Sequence, residues 1–302
     1  MQSRTAVASA FAAAVMALAA TVPPASAGPA LDRIVSEKTI RLGVRTDAPP
    51  FAYIQDDQLF GFTIELCGMV AEAIVQTSQI EDLGAEIIPV QTGERFKALQ
   101  NGEIDVLCGA TTATLRRREI VSFSIPTFLT GVGAVVAADA PDSLKDVLVN
   151  ATPEFLPKDK LSAALAGKAL GFRSNTTAYT WLRTGPLAGI EGIELQAFGD
   201  HALGVAAVAD GTVAAYVADK AILLGVLNNT EQPERFVLSG GTYTDEPYAL
   251  ALPRGDEDLR LVIDQALSFL YRTGAIFDSY ERNFGKPTAD VMQFYKSVKL
   301  PE

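Results

Sequence analysis

Apolar positions along the chain alternate between short strand-like runs and longer stretches with helical spacing. A strand is predicted over Ile40 to Val44, and a helix opens at Gly61. The apolar face of that helix is formed by Leu66, Cys67, Val70, Ala73 and Ile74. Two further strands are predicted over Glu86 to Val90 and Ile104 to Cys108, with a short helix between them that ends at Asn101-Gly102. Strands that alternate with helices predict crossover connections and a mostly parallel sheet.

The same order of elements returns in the second half of the chain. A strand is predicted over Ala169 to Phe172, a polar turn over Ser174 to Thr177, and a helix over His201 to Ala209. An Asp-Gly pair ends that helix, and a strand over Val213 to Val217 follows it. Two halves of this kind predict a two-lobed α/β fold, in which helices flank a mostly parallel sheet in each lobe.

Two apolar, strand-like runs are predicted to join the lobes. They extend over Phe128 to Ala137 and Tyr248 to Leu252. After the second run, a long helix has one apolar face and would return to the first lobe. We therefore expect lobe 1 to comprise residues 28–131 and 248–302, and lobe 2 to comprise residues 132–247. The segment from Pro287 is predicted to wrap along the surface.

Residues 1–27 have the three parts of a secretory signal peptide. Arg4 supplies the charged start, Ala6 to Ala20 is apolar, and Ala25-Ser26-Ala27 before Gly28 fits a signal-peptidase site. A membrane anchor is the alternative, but the apolar run is shorter than the roughly 20 residues of a spanning helix. Export with cleavage after Ala27 is therefore predicted, and no later stretch resembles a membrane span.

The chain is acidic, with a formal net charge of −11 that becomes −12 once Arg4 is removed with the signal peptide. This balance argues against nucleic acid or an anionic membrane surface as a partner, because both favour basic patches. Cys67 and Cys108 could form a disulfide after export, or remain two inert buried thiols. With one histidine and two cysteines, the chain lacks His/Cys metal spacing, so neither a metal nor a cofactor is predicted.

An arginine triplet, Arg116 to Arg118, stands at the predicted start of a helix that Thr114 would cap. The positive end of the helix macrodipole disfavours arginine there, unless an anion binds beside it. A guanidinium group can hold a carboxylate through two parallel hydrogen bonds. We assign Arg117 to such a site, with the hydroxyl of Thr112 as a further donor. The alternative is a solvated face with Glu119 as counter-ion, which we expect for the other two arginines.

Two features of the second half complement this arginine. The Ser174-Asn175-Thr176-Thr177 turn follows a strand and begins a helix, where free backbone N–H groups suit a carboxylate. Asp219, which ends the strand over Val213 to Val217, could receive an ammonium group, and the ligand would then be a zwitterion. Helix capping is the alternative for both features. Lys220 beside Asp219 could neutralise part of its charge.

Taken in order, these segments resemble the periplasmic amino-acid-binding proteins of ABC importers. The matching stretches are RTDAPPFAY from Arg45, GFTIEL from Gly61, GEIDVLCGATTATLRRREIVSFSIP from Gly102, SNTT from Ser174 and AAYVADKA from Ala214. The resemblance implies two lobes that close on a ligand in the cleft between them. It implies that Arg117 clamps the α-carboxylate of the ligand with help from Thr112, Thr176 and Thr177. Asp219 would take the α-ammonium group.

Glutamate/aspartate-binding members of that family resemble the chain most. They share an arginine after the first strand, here Arg45, a Cys-Gly-x-Thr-Thr turn, and an Asp-His pair, here Asp200-His201. The resemblance implies that Arg45 and His201 face the side-chain carboxylate of the ligand. Three positions depart from the pattern: Ala110 replaces a serine at a ligand-binding position, Lys220 replaces an acidic residue, and the usual partner of Cys108 in the second crossing run is missing. Phe51 is predicted to pack in the core, whereas Tyr53 could cover the aliphatic part of the ligand.

The resemblance implies a monomeric periplasmic protein that captures a small amino acid and delivers it to an ABC permease in the inner membrane. Catalysis is not expected, because a chain with one histidine has limited acid–base chemistry at neutral pH. Two alternatives stay open. One is an exported cyclohexadienyl dehydratase acting on prephenate or arogenate, which would need a proton donor and room for a ring. The other is a ligand-sensing module for a separate membrane receptor.

Overall fold

The computed structural model describes residues 28–301, so the predicted signal peptide at 1–27 lies outside the described residues. The described chain folds into helices, strands and two short 3-10 helices, Pro153–Phe155 and Pro233–Arg235. The strands are β1 (Thr39–Val44), β2 (Asp47–Ala48), β3 (Ala52–Gln55), β4 (Gln58–Phe60), β5 (Gly84–Pro89), β6 (Val106–Cys108), β7 (Ser122–Phe123), β8 (Phe128–Thr130), β9 (Val132–Ala137), β10 (Ala169–Arg173), β11 (Glu194–Phe198), β12 (Ala215–Asp219), β13 (Phe236–Leu238), β14 (Glu246–Tyr248) and β15 (Ala251–Leu252). The helices are α1 (Pro29–Glu37), α2 (Phe62–Ser78), α3 (Arg95–Gln100), α4 (Leu115–Arg118), α5 (Asp142–Leu148), α6 (Lys158–Leu165), α7 (Thr177–Thr184), α8 (His201–Ala209), α9 (Lys220–Asn228), α10 (Glu257–Thr273), α11 (Ile276–Phe284) and α12 (Ala289–Val298).

Each lobe is built on one five-stranded sheet. The strand order is β5-β1-β6-β15-β7 in lobe 1 and β11-β10-β12-β9-β13 in lobe 2. The first three strands of each order are parallel, whereas the last two run antiparallel to their neighbours. The predicted two-lobed α/β fold is confirmed, and in each sheet four strands run in the same direction while one, β15 or β9, opposes them. The antiparallel strands flank the crossings between the lobes, and their connections are not the crossover helices that parallel strands require.

Both predicted crossing strands are broken in two. The first run becomes β8 and β9 with Gly131 between them, and the second crossing consists of β14 and β15. Strand β8 pairs antiparallel with β14, which forms a two-stranded link between the lobes. A Cβ atom at Gly131 would lie 1.7 Å from the carbonyl oxygen of Thr244, so only glycine permits this close approach. We propose that the lobes divide at 131/132 and 247/248, because all five strands of each sheet then belong to one lobe.

The core of lobe 1 is closed by a disulfide and an aromatic cluster. The sulfur atoms of Cys67 on α2 and Cys108 on β6 are bonded, so these cysteines form a disulfide rather than two buried thiols. Phe51 is fully buried, and its ring centroid lies 4.9 Å from that of Phe128 and 5.0 Å from that of Tyr248. Phe51 is therefore a core residue at the base of the interlobe link.

The segment from Pro287 lies along the surface of lobe 1, and most of it is the helix α12. The side chain of Tyr295 on this helix is buried, with its hydroxyl donating to the Thr127 carbonyl at 2.9 Å. This side chain, with its partly buried apolar neighbours, holds the helix against the core. Within residues 28–301, no helix is both long enough and apolar enough to cross a membrane.

Candidate functional site

The residues predicted to bind a ligand converge on one cavity between the lobes. All eight line it: Arg45, Ala110, Thr112, Arg117, Thr176, Thr177, His201 and Asp219. Five further residues complete the lining, namely Arg95, Ala178, Ala218, Ile222 and Tyr248. The cavity volume is about 30 Å³, well below the roughly 300 Å³ or more of typical ligand pockets. In this conformation the cavity is therefore too small for a ligand of amino-acid size.

Arg117 reaches the cavity from the start of α4. The Thr114 side chain caps this helix by accepting the backbone N–H of Arg117 at 3.2 Å. The Arg117 guanidinium donates to the Thr112 carbonyl at 2.7 Å and lies 5.3 Å above the Phe96 ring. Its two arginine neighbours are exposed, as predicted. Burial lowers the pKa of Arg117 to about 10, an effect that the Glu246 carboxylate partly offsets, so Arg117 is charged at neutral pH.

The threonines of the two turns make different contacts. Thr176 caps α7, because its oxygen accepts the Tyr179 N–H at 3.2 Å while its hydroxyl donates to the Arg173 carbonyl at 2.7 Å. In this conformation the Thr176 hydroxyl hydrogen is therefore used within its own turn. The hydroxyls of Thr112 and Thr177 both donate to one oxygen of Glu246, at 2.7 and 2.6 Å.

Asp219 caps α9 with one carboxylate oxygen and has its other oxygen buried beside the cavity. Its Oδ1 accepts from the Thr130 hydroxyl at 2.9 Å and from the Ala221 N–H at 3.0 Å, which caps α9. Its Oδ2 is buried and makes no hydrogen bond of ordinary geometry within residues 28–301, although the Tyr248 hydroxyl is close enough to lower the pKa of Asp219. Burial raises the pKa of Asp219 to about 7. An acceptor in this state favours a cationic partner, because burial of an unpaired carboxylate is costly.

Lys220 does not neutralise Asp219 as the sequence suggested. Its ammonium group donates to the Gly240 carbonyl at 2.6 Å. The two side chains point in different directions because the helix begins at Lys220. The Asp219 side chain caps the helix, whereas the Lys220 side chain extends to the loop that contains Gly240.

Arg45 and His201 lie next to each other in the wall of the cavity. Arg45 is buried and donates to Asp47 Oδ1 at 3.2 Å and to the Ala110 carbonyl at 3.4 Å. His201 Nε2 lies 3.5 Å from an Arg45 nitrogen, and its Nδ1 lies 3.1 Å from the Tyr216 hydroxyl. Burial and the Arg45 charge lower the pKa of His201 to about 3, so the imidazole is neutral at pH 7. Its Nε2 can therefore accept from Arg45, and the residue contributes no charge.

Arg95 is a cavity residue that the sequence did not identify. It is buried at the start of α3, and its Nη2 donates across the lobes to the Asn175 carbonyl at 3.1 Å. Its Nε is buried without a hydrogen-bond partner within the described chain. Burial, together with the charges of Arg117 and Arg45, lowers its pKa. Its sequence signal was its place three and four residues before the buried Ala98 and Leu99, on the inner face of the helix.

A second set of contacts closes the lobes beside the cavity. Arg173, at the end of β10 in lobe 2, forms an ion pair of 2.7 Å with Asp47 in lobe 1. Its Nε donates to the Thr92 hydroxyl, also in lobe 1, at 3.0 Å. The neighbourhood of the cavity therefore holds four guanidinium groups, a neutral imidazole and three carboxylates, those of Asp47, Asp219 and Glu246. Arg173 and Asp47 pair with each other, and with the three lining arginines, Asp219 and Glu246 all ionised the formal sum is one positive charge.

A larger groove of about 870 Å³ lies between the β2–β4 hairpin and helices α8 and α9. None of the eight predicted residues lines it. Tyr53 does, so its ring lies outside the cavity rather than over a ligand held there. Within residues 28–301, His, Cys, Asp and Glu side chains form no group of three that could hold a metal ion.

Residues 40–286 match the model of the bacterial extracellular solute-binding proteins, family 3. The glutamate/aspartate import solute-binding protein of Salmonella typhimurium is 26% identical over 263 residues, which is 87% of this chain and 82% of the relative. The L-glutamate/L-aspartate-binding protein of Pseudomonas aeruginosa is 25% identical over 259 residues, 85% and 80% of the two chains. The glutamine-binding protein GlnH of Bacillus subtilis is 26% identical over 254 residues, 83% of each chain.

Solved structures share the fold. A mutant of the arginine-binding protein ArgBP from T. maritima superposes with a TM-score of 0.69 at 24% identity, covering 85% of this chain and all of the other. The ancestral amino acid-binding protein AncCDT-1, a precursor of cyclohexadienyl dehydratase, gives a TM-score of 0.68 at 23% identity, with 84% and 99% coverage. At this level of identity the two structures establish the two-lobed architecture alone.

Proposed function

The chain belongs to family 3 of the bacterial extracellular solute-binding proteins, and on that premise we propose that it binds an acidic amino acid, glutamate or aspartate, between its lobes. The observation that carries this proposal is the convergence of Arg117 and Asp219 with Arg45 and Arg95 on one buried cavity. Arg117 supplies a fork for the α-carboxylate, and the buried Oδ2 of Asp219 accepts from the α-ammonium group. The names of the Salmonella and Pseudomonas relatives support the same ligand class.

The charge of the cavity favours an acidic side chain. A formal excess of one positive charge in the cavity complements an amino acid whose net charge is −1. A basic amino acid would instead add positive charge to a cavity that is already positive. Arg95 Nε lies buried without a partner, and Arg45 lies beside it, so a second carboxylate would find donors there. Charge pairing in a buried site is strong because water does not screen it. Ala110 offers only its backbone where relatives have a serine, so the side-chain carboxylate depends on the arginines.

We propose that ligand binding closes the lobes. The cavity is too small to admit a ligand without opening, and contacts such as Arg173 with Asp47 exist only when the lobes meet. A ligand shifts the balance between open and closed forms only through contacts that it makes better in the closed form. Closure then presents a defined surface to an ABC permease. Export to the periplasm after cleavage at Ala27, and a monomeric state, complete the proposal.

The proposal is tested by thermal unfolding of the mature protein with each of the twenty amino acids and with prephenate. A ligand that binds only the folded state stabilises it by about 2.7 kcal/mol at a concentration one hundred times its Kd. We expect L-glutamate or L-aspartate to raise the Tm most. A panel in which neutral or basic amino acids stabilise the protein and both acidic ones do not would reject acidic specificity.

Arg45→Ala should reduce affinity for acidic amino acids selectively. The substitution removes a buried guanidinium from the end of the cavity assigned to the side-chain carboxylate, and we expect a loss of about thirtyfold for L-glutamate. Binding of L-glutamine, if the wild type takes it, should change about threefold or less. Isothermal titration calorimetry with both ligands measures the two changes in affinity. Equal losses of affinity for both ligands would show that Arg45 does not bind the side-chain carboxylate.

Gly225→Val should weaken binding without touching the cavity. Gly225 lies on α9 where lobe 2 meets lobe 1, and a Cβ there would stand 2.4 Å from the Pro49 carbonyl oxygen. The added side chain must hold the lobes apart, so we expect about a tenfold loss of affinity from the closed contacts that no longer form. Gly68→Val is the matched control, since nothing lies within 4 Å of a Cβ at that helical position. Unchanged affinity in Gly225→Val would mean that closure at this contact is not needed.

Catalysis by a dehydratase has one observation in its favour, the proton that the raised pKa of Asp219 holds near pH 7. The size of the closed cavity does not separate the two functions, because prephenate and an amino acid both need several times that volume. Incubation of the mature protein with prephenate, followed by phenylpyruvate absorbance, separates the two functions. Sustained turnover that is lost in Asp219→Asn would replace binding by catalysis as the function.

A further inference from the structure

We propose that Glu246 is an internal occupant of the carboxylate-binding hydroxyls, which tethers the two lobes in the ligand-free protein and must be displaced by the ligand. This inference rests on the proposed function in one respect, the assignment of Thr112 and Thr177 to the ligand's α-carboxylate. The resemblance to known binding proteins gave no role to Glu246, which lies two residues before the predicted crossing run over Tyr248 to Leu252.

The contacts of Glu246 bridge the lobes. Thr112 belongs to lobe 1 and Thr177 begins α7 in lobe 2, yet both hydroxyls donate to the same carboxylate oxygen, at 2.7 and 2.6 Å. The other oxygen accepts from the Thr244 hydroxyl at 3.0 Å. Glu246 itself lies on β14, in the link between the lobes, opposite Thr130 of β8. We call Glu246, Thr112 and Thr177 the Glu246 tether.

Glu246 and a ligand carboxylate compete for the same two hydroxyl hydrogens, those of Thr112 and Thr177. A threonine hydroxyl has one hydrogen, so it can donate to one acceptor at a time. The Thr112 and Thr177 hydrogens are both committed to Glu246 in the closed form. A ligand carboxylate can receive them only if Glu246 releases them. The Glu246 charge also lies close enough to Arg117 to offset part of the effect of burial on its pKa, as a bound carboxylate would.

Burial makes the tether effective. Glu246 is 6% exposed, and Thr112 is 5% exposed. Hydrogen bonds to an ionised acceptor are roughly twice as strong as neutral ones, and seclusion from water strengthens them further. A closed form held in this way exists before ligand arrives, and part of the binding free energy is then consumed in breaking it. The tether therefore sets the affinity and the resting conformation together.

Glu246→Gln in the mature protein tests the tether, because the amide keeps the shape and removes the charge. Small-angle X-ray scattering without ligand should give a larger radius of gyration than the wild type, and saturating L-glutamate should restore the wild-type value. Calorimetry should show affinity for L-glutamate about tenfold tighter, since two charge-assisted hydrogen bonds no longer need to be broken. Thr177→Ala should reduce affinity more in the Glu246→Gln background than in the wild type. In the wild type the same substitution also weakens the Glu246 tether, which offsets part of the contact that the ligand loses.

Asp245→Asn is the matched control, since it removes the same charge from the adjacent exposed residue and should change neither measurement. Thermal unfolding checks that Glu246→Gln folds; if it does not, Thr177→Val removes one anchor and should expand the ligand-free protein in the same way. An unchanged radius of gyration, or affinity that is equal or weaker in Glu246→Gln, overturns the tether. If the wild type binds no L-glutamate, the proposed function fails while the scattering comparison still decides the tether.

Discussion

Arg117→Ala is expected to weaken binding of every amino acid that the protein takes by about a hundredfold to a thousandfold, because removal of one partner of a buried charge pair costs roughly 3 to 4 kcal/mol. The Arg117 guanidinium lines the cavity from the first turn of α4 and is assigned to the α-carboxylate of the ligand. Every amino acid has this carboxylate. The loss should therefore not depend on the ligand's side chain. Isothermal titration calorimetry with the best ligand of the thermal panel gives the change in Kd.

Two matched variants make the Arg117 result specific. Arg116→Ala removes the exposed neighbouring arginine and should leave affinity within about twofold. Arg117→Lys keeps the charge but loses the planar fork, so we expect an intermediate loss of about tenfold to thirtyfold. If Arg117→Ala binds as well as the wild type, the arginine triplet is a solvated face after all, and the carboxylate is held elsewhere.

Asp219→Asn is expected to cost about a hundredfold in affinity, because the amide keeps the cap on α9 but no longer offers a charge to the ligand's ammonium group. The same side chain predicts a pH dependence. Burial raises the pKa of Asp219 to about 7, so the ligand-free protein binds a proton there as the pH falls. That proton must leave before an ammonium group can bind. Affinity should therefore decrease as the pH is lowered from 8 to 5.5, approaching tenfold per pH unit below the pKa.

The pH experiment distinguishes Asp219 from His201 and Arg117, because neither of these two residues titrates in that range. The pKa of His201 is lowered to about 3 and that of Arg117 to about 10, so both keep their charge states between pH 5.5 and 8. Asp219→Asn should bind weakly with a nearly flat pH profile. Asp210→Asn, which removes an exposed carboxylate at the end of α8, should retain the wild-type profile. A wild-type affinity that rises as the pH falls would rule out Asp219 as the ammonium acceptor.

The sequence predicted the elements that periodicity and caps define. Helix α8 begins and ends at His201 and Ala209 as predicted, because an Asp cap and an Asp-Gly stop mark its two ends. The Thr114 cap and the outward direction of Arg116 and Arg118 likewise follow from helical geometry. Local rules decide these features, so a single sequence was sufficient.

Features that depend on lobe-to-lobe contact were not predictable in the same way. Arg95 belongs to a short helix that looks ordinary in sequence, and only closure brings it against Asn175. Glu246 resembles a loop residue until the fold places Thr112 and Thr177 on either side of it. The mixed pairing of the sheets and the burial of Tyr295 also arise from long-range packing. Hydrophobic periodicity contains no information about such partners.

A crystal structure of the mature protein with bound L-glutamate is the most direct measurement. It should show one glutamate between the lobes, its α-carboxylate bonded to the Arg117 guanidinium, its ammonium group bonded to Asp219 Oδ2, and its side-chain carboxylate against Arg45 and Arg95. A glutamate in the outer groove beside Tyr53, or one held between the lobes with Arg117 and Asp219 both remote from it, would contradict the proposed site.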